Sequence, residues 1–161
     1  MDQERRNAEP ASEREVTITR LFDVPARILF LACSTPEHMR EWFGPKGFPL
    51  TRCEMDFRVG GNYRFAMTGP NGKEMTPFGG EYLAIEPDRK IAYTNRLDQP
   101  GAETMVVTIT FAEQDGKTTL TQHTLFASVA MKRKHMGMGY ETGVVSGLEQ
   151  LGVLASRLAS R

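Results

Sequence analysis

Along most of this chain, apolar and polar residues alternate with the period of two that is typical of β-strands. Residues 15–22 show this pattern first and are rich in β-branched side chains. Six further segments follow, separated by turn dipeptides such as Gly60-Gly61 and Asp115-Gly116. Such short connections place successive strands side by side, so we predict a seven-stranded antiparallel meander. The predicted strands span residues 15–22, 50–57, 62–68, 74–86, 90–97, 103–113 and 117–128. Pro77 and the glycines after it indicate a bulge or edge defect in the fourth strand.

Two short helices are predicted between the first and second strands. Pro25 suits the first turn of a helix, and Asp23 can cap that turn. Pro36 suits the start of the second helix, which ends at Trp42 or Phe43.

A longer helix is predicted over residues 136–159, where apolar residues recur at three- and four-residue steps. About 20 helical residues extend about 30 Å, enough to cross a whole sheet. Glycine also recurs along this helix, although each interior glycine costs about 1 kcal/mol relative to alanine. The glycines indicate a close approach to the sheet, room for a ligand, or contact with a second helix in a homodimer. They are Gly139, Gly143, Gly147 and Gly152.

An antiparallel sheet of this size has to bury one face, and only the C-terminal helix is long enough to cover it. Because sheets twist, we expect an α+β fold in which a curved sheet grips this helix. The two short helices then close one open end. The chain has 9 Met and 9 Phe residues, and methionine adapts to irregular space. We therefore predict an apolar interior with a cavity between the sheet and the helix.

Four polar side chains are expected to point into this interior. Alternation places Tyr93 and Asn95 on the inner face of one strand, and Gln122 and Thr124 on that of another. Buried polar groups need hydrogen-bond partners, which can be one another, water or a ligand. Together with apolar residues they form the predicted ligand-binding lining. Its members are Trp42, Phe65, Met67, Tyr82, Tyr93, Asn95, Met105, Val107, Gln122, Thr124, Tyr140, Val144 and Leu148.

Three other features each allow two interpretations. The aromatic side chains of Trp42 and Phe43 can form a lid over the cavity or a plug of the core. The charged residues near the double glycine, Asp56, Arg58 and Arg64, can orient a polar ligand group or form ordinary surface ion pairs. The basic run at residues 132–135 is interpreted as a solvated loop, with docking of an acidic partner as the alternative.

No arrangement of residues indicates catalysis, a cofactor or a metal. The three histidines, His38, His123 and His135, are not spaced as metal ligands, and the sequence has no Cys-x-x-Cys motif. The serines have no nucleophile-elbow context. We therefore assign no catalytic residue, no metal-binding residue and no cofactor.

Composition narrows the choice of partners and compartment. Twenty Lys and Arg balance 20 Asp and Glu, so no nucleic-acid partner is expected. No apolar run reaches the about 20 residues needed to insert into a membrane. The first 15 residues lack the apolar core of a secretory signal, so we expect a cytoplasmic protein in which Cys33 and Cys53 are reduced.

Length and composition also predict the domain organisation. Residues 1–14 are almost devoid of apolar side chains and are predicted to be a disordered tail. The rest of the 161-residue chain, residues 15–161, is long enough for one domain with its own core.

A series of short motifs runs from about residue 16 to residue 158. They are Arg20-Leu-Phe-Asp-Val-Pro25, Thr35-Pro36-Glu37, Trp42-Phe43-Gly44-Pro45, Asp56-Phe-Arg-Val-Gly-Gly61, Tyr63-Arg64, Gly80-Glu-Tyr-Leu-Ala-Ile-Glu-Pro87, Val107-Thr-Ile-Thr-Phe111, Gly116-Lys-Thr-Thr-Leu-Thr121 and Leu148-Glu-Gln-Leu151. In this order and spacing the chain resembles the activator-of-heat-shock-protein-90-ATPase-like family of the SRPBCC (START/birch-allergen-like) superfamily. The resemblance implies a helix-grip fold with a hydrophobic ligand cavity. Related members include lipid carriers, hormone receptors, cyclases and co-chaperone domains.

Three functions follow as hypotheses. The leading one is non-catalytic binding of a small hydrophobic or aromatic molecule, with burial supplying about 25 cal/mol per Å² of apolar area. The second is a protein-binding module for a chaperone or another partner, which predicts a filled interior and an exposed patch. The third is a cavity enzyme, a hydrolase or cyclase, although the inward polar groups are neutral amides and hydroxyls.

Overall fold

A computed structural model describes residues 9–161 of the chain. Its main element is one curved antiparallel sheet of seven strands, as predicted. The strands are β1 (Glu15–Phe22), β2 (Leu50–Met55), β3 (Asn62–Met67), β4 (Phe78–Glu86), β5 (Lys90–Leu97), β6 (Met105–Gln114) and β7 (Lys117–Leu125). Their spatial order is β1-β7-β6-β5-β4-β3-β2, so the first strand pairs with the last and β2 forms the opposite edge.

Four α-helices cover the inner face and one end of this sheet. They are α1 (Ala26–Ser34), α2 (Pro36–Trp42), α3 (Val129–Gly137) and α4 (Tyr140–Ala159). The predicted α+β fold, with two short helices after the first strand and a long C-terminal helix, is confirmed.

The fourth strand begins later than predicted, at Phe78 instead of residue 74. Proline at position 77 has no N–H to donate to a ladder, and its carbonyl accepts instead from the Asp98 N–H at 2.8 Å. The next two residues, Gly79 and Gly80, continue the strand and do not break it. A Cβ at Gly80 would lie 2.0 Å from the Thr94 carbonyl oxygen, so the glycine permits a close approach of two strands.

The predicted continuous helix over residues 136–159 is in fact two helices. Gly139 has φ +85°, a left-handed conformation that interrupts the helix between α3 and α4. Ser128 starts α3 by accepting a hydrogen bond from the Met131 N–H at 3.0 Å. The basic run at residues 132–135 therefore lies in α3, and its interpretation as a loop was wrong.

The start of α1 is capped from the sheet and not by Asp23. The Ala26 N–H donates to the Glu113 carboxylate on β6 at 2.7 Å. A carboxylate at a helix N-terminus also interacts favourably with the helix dipole. A residue distant in sequence thus takes the role that local sequence assigned to Asp23.

The C-terminal helix α4 docks against the segment that follows α2. The Gln150 side-chain amide donates to the carbonyls of Gly44 at 2.6 Å and Trp42 at 3.2 Å. The Ser146 hydroxyl accepts from the Lys46 N–H at 3.0 Å. A Cβ at Gly147 would lie 3.6 Å from the Gly44 backbone, an ordinary contact distance, so at this position α4 packs against the segment after α2 and not against the sheet.

The indole of Trp42 lies in the core beneath this contact. It is only 6% exposed, and its N–H donates to the Ala32 carbonyl at 2.9 Å. Trp42 therefore acts as a plug that joins α2 to α1.

The structure describes six residues of the predicted tail, 9–14, whereas residues 1–8 lie outside the described part. Ala11–Glu13 form a turn of 3-10 helix. The Arg14 guanidinium donates to the Phe126 carbonyl at 2.8 Å. Order therefore begins before Glu15, the predicted start of the domain. Among the helices of the described residues, none is both long and apolar enough to cross a membrane.

Two glycine substitutions test this description of α4. Gly143→Ala should stabilise the fold by up to about 1 kcal/mol, because alanine favours the helix and the new Cβ finds Pro45 only at 4.0 Å. Gly139→Ala should destabilise it by about 1–2 kcal/mol, because a side chain disfavours the left-handed conformation. Urea unfolding of both variants measures the effects, and shifts of the same sign would contradict the assignment.

Candidate ligand-binding site

A small cavity lies between the inner face of the sheet and helices α1 and α2. Its volume is about 40 Å³. Both helices and five strands contribute side chains to its wall. The lining residues are Cys33, Met39, Trp42, Phe43, Tyr63, Tyr82, Ile91, Tyr93, Ile109 and Gln122.

This volume is much smaller than the cavity expected from the sequence. A water molecule occupies about 30 Å³, and a cavity that binds benzene measures about 150 Å³. The interior of the structure is thus nearly filled. The space present accommodates a single small group.

Four of the predicted lining residues meet at this cavity, namely Trp42, Tyr82, Tyr93 and Gln122. The others lie elsewhere on the inner face of the sheet or on α4. Five of those are buried in the core: Phe65, Met105, Val107, Thr124 and Leu148. The remaining four are partly exposed: Met67, Asn95, Tyr140 and Val144. The predicted set covers the whole inner face, whereas the cavity is confined to the part beside α1 and α2.

Six lining residues are absent from the predicted lining, although the sequence allows Phe43 as part of a lid. Three of them continue the alternation of predicted residues, since Tyr63, Ile91 and Ile109 lie two positions from Phe65, Tyr93 and Val107. That signal was present in the sequence. The other three, Cys33, Met39 and Phe43, depend on how α1 and α2 are oriented against the sheet.

The wall of the cavity is a network of aromatic rings. Tyr63 has its ring centroid 5.5 Å from the centroids of both Tyr82 and Tyr93. Phe43 and Phe65 meet edge to face at 5.4 Å beside them. Edge-to-face pairs of this kind add about 0.5–1.5 kcal/mol each beyond the burial of their area.

The tyrosine hydroxyls differ in their hydrogen bonding. The hydroxyl of Tyr63 donates to the Thr94 carbonyl at 2.7 Å. Within residues 9–161, the hydroxyls of Tyr82 and Tyr93 form no hydrogen bond with another protein group. No side-chain N or O atom of the described residues is fully enclosed without a partner. The hydroxyls of Tyr82 and Tyr93 therefore remain accessible to a small molecule.

All titratable groups of the cavity wall are neutral at physiological pH. Burial raises the pKa of Tyr82 and that of Tyr93. Burial also raises the pKa of the Cys33 thiol to about 12. The site offers uncharged hydroxyl groups and a side-chain amide, and the thiol is not a nucleophile at neutral pH. Cys33 and Cys53 are both free thiols, as expected.

Two of the predicted polar residues satisfy each other at the edge of the interior. The hydroxyls of Thr124 and Tyr140 are 2.6 Å apart. Burial raises the pKa of Tyr140, while hydrogen bonds from Thr124 and Gln122 act in the opposite direction. The Tyr140 ring also packs edge to face on Phe126 at 5.4 Å.

The charged residues near the double glycine form exposed ion pairs away from the cavity. Arg58 pairs with Asp56 at 2.9 Å, and Arg64 pairs with Asp98 at 2.6 Å. None of the four lines the cavity. Over the described part of the chain, no group of three or more His, Cys, Asp or Glu side chains is arranged to hold a metal ion.

A curved antiparallel sheet closed by a C-terminal helix around an aromatic interior defines the helix-grip class of α+β domains. Comparison with known families makes the assignment more specific. The family described as "Activator of Hsp90 ATPase homolog 1-like protein" matches residues 23–155, and the chain belongs to this family. No curated protein matches the chain.

Solved structures of bacterial proteins share the fold. The crystal structure of a Nitrosomonas europaea protein has a TM-score of 0.82 at 23% identity, covering 93% of this chain and 99% of that one. A Chromobacterium violaceum protein gives 0.76 at 28% identity, with coverage of 88% and 96%. A Staphylococcus epidermidis protein gives 0.73 at 27% identity, with coverage of 89% and 90%.

The hydrogen bond between the Thr124 and Tyr140 hydroxyls leads to a testable prediction. Thr124→Val should destabilise the fold by about 0.5–1.5 kcal/mol and raise the pKa of Tyr140 further, because a bond that lowers it is lost. Urea unfolding and ultraviolet titration of the phenolate measure the two effects. Thr121→Val, the same change on the opposite face of β7, is the control, and equal effects in both variants would contradict the assignment.

Proposed function

We propose that this protein binds a small hydrophobic or aromatic molecule in its interior, at the cavity between the sheet and helices α1 and α2, and that the molecule displaces side chains that otherwise fill this space. The observation that carries the proposal is the pair of unpartnered hydroxyls, Tyr82 and Tyr93, in an aromatic wall. Both hydroxyls keep some accessible surface at the cavity, so their hydrogen-bond partners can come from outside the protein. A ligand or water provides what the protein does not.

The packing of α4 supports displacement of side chains without a change of fold. The backbone of α4 lies close to α1, α2, α3 and β1. Several apolar side chains are only partly buried where they pack against the core, among them Phe43, Met67, Tyr93 and Val144. Such side chains change rotamer more readily than fully enclosed ones, because fewer neighbours have to move.

The expected affinity follows from the buried area. One aromatic ring with about 150 Å² of apolar surface gains about 4 kcal/mol at about 25 cal/mol per Å². That corresponds to a dissociation constant of about 1 mM before the energy of moving side chains is subtracted. Two- and three-ring compounds are therefore the appropriate probes.

We place this binding in the cytoplasm, a proposal supported by the two free thiols.

Titration with a panel of two-ring aromatic compounds tests the proposal. Saturable amide shifts are expected at residues of the cavity wall such as Tyr93 and Gln122, with a rise in thermal stability. Cys33→Leu, which fills the cavity from α1, should weaken binding. Val153→Ala, on the exposed face of α4, serves as the matched control. If the whole panel causes neither shifts nor stabilisation, the proposal is wrong.

A second candidate is a protein-binding module, and the nearly filled interior favours it. The two most exposed large apolar side chains of the described residues are Val153, at 71%, and Leu21, at 68%. Both are next in sequence to a contact between α4 and β1. Val153 follows Gly152, Leu21 precedes Phe22, and a Cβ at Gly152 would lie 3.5 Å from the ring of Phe22. Because side chains alternate along a strand, Leu21 lies on the face of β1 opposite Phe22, so the two exposed apolar side chains offer separate contact points for a partner protein.

Measurement of Hsp90 ATPase activity with and without this protein tests the second candidate. The family description motivates the choice of partner. An increase in turnover caused by the wild-type protein would support the module, provided that the double variant L21S/V153S binds Hsp90 with about tenfold lower affinity. Circular dichroism of the double variant verifies its fold. No effect of the wild-type protein on turnover would reject Hsp90 as the partner.

A further inference from the structure

We infer that the site selects neutral aromatic compounds that carry one hydroxyl or carbonyl oxygen, with this oxygen placed at the hydroxyls of Tyr82 and Tyr93. The inference rests on the proposed function and specifies its ligand. It follows from the hydrogen bonding, the size and the charge of the cavity.

The first observation is the unequal use of the tyrosine hydroxyls. Tyr63 is committed to the Thr94 carbonyl. Tyr82 is only 4% exposed, yet its hydroxyl bonds to no group of the described residues. Its ring centroid lies 6.4 Å from that of Tyr93, whose hydroxyl is also unbonded within residues 9–161. Two hydrogen-bonding groups from adjacent strands therefore remain available at one cavity.

The size of the cavity limits what these groups can bind without rearrangement. A volume of about 40 Å³ holds one oxygen-bearing group, because a water molecule occupies about 30 Å³. The carbon skeleton attached to this oxygen has to replace neighbouring side chains, and Phe43 is a partly exposed member of the wall. A ligand ring that takes the place of the Phe43 ring would make the same edge-to-face contact with Phe65. An aromatic skeleton therefore fits better than an aliphatic one.

Charge determines which oxygen group fits. Among the described residues, no Lys, Arg, His, Asp or Glu lines the cavity. A carboxylate or ammonium group would lose its hydration there and find no opposite charge. The negative charge of Asp56 also acts on Tyr82, which disfavours an anion further. Because burial raises the pKa of both tyrosines, they remain protonated and can donate to a neutral oxygen.

Three matched probes test the inference by amide chemical-shift titration at neutral pH: naphthalene, a naphthol and the corresponding naphthoate. The naphthol should bind about three- to tenfold more tightly than naphthalene, as expected for one or two net hydrogen bonds. The naphthoate should bind more weakly than naphthalene.

Variants assign the preference to the named residues. The double variant Y82F/Y93F should reduce the preference for naphthol over naphthalene to within about twofold, because both free hydroxyls are removed. Tyr63→Phe should reduce it less, because that hydroxyl is already bonded to Thr94. Thr121→Val, on the outer face of β7, is the control. The amide spectrum of each variant shows whether it is folded.

The outcomes separate this inference from the proposed function. Equal binding of naphthalene and naphthol, or tightest binding of the naphthoate, would overturn the inference and leave the proposed function standing. A naphthol preference that survives in Y82F/Y93F would overturn the assignment to these tyrosines. Absence of binding by all three probes would overturn both.

Discussion

The rest of the structure depends on how α4 is anchored to the segment after α2. The Gln150 amide donates hydrogen bonds to two carbonyls of that segment, and Gly147 lies against its backbone. This anchoring fixes the distance between α4 and the middle of the sheet. Side chains have to occupy the intervening space, and they do so as a shell of aromatic rings. The candidate site lies beside these rings, between the sheet and helices α1 and α2.

The aromatic interior combines good packing with incomplete polar satisfaction. The rings of Tyr63, Phe65, Tyr82 and Tyr93 meet in edge-to-face or tilted pairs with centroids 4.9–6.4 Å apart. Apolar packing alone could have been achieved with phenylalanine at positions 82 and 93. Tyrosine at both positions introduces hydroxyls that bind no group of the described chain, and this is the strongest physical argument for a bound molecule. The small volume of the cavity also means that such a molecule has no preformed space to enter and has to displace side chains.

The fold was predictable from sequence because it is dictated by periodicity and turn chemistry, which act locally. The seven strands and two short helices follow from them, and Tyr82, Tyr93 and Gln122 were placed on the inner face by alternation alone. Features set by tertiary contacts were not predictable. The cap of α1 comes from Glu113 on β6, and Cys33 reaches the cavity only through the orientation of α1. Gly139 has the same sequence signature as the interior helical glycines, so its left-handed conformation was missed. Cavity volume depends on rotamers that no sequence pattern specifies.

The pairing of β1 with β7 has a consequence for biosynthesis. Glu15 lies opposite Leu125, and Phe22 lies opposite Thr118, so β1 has no partner in the sheet until β7 has left the ribosome. At about 5–20 residues per second this wait lasts roughly 5–20 seconds. During that interval an apolar strand edge is exposed to other nascent chains. The same topology that closes the sheet around α4 makes the newborn polypeptide dependent on late residues for protection from aggregation.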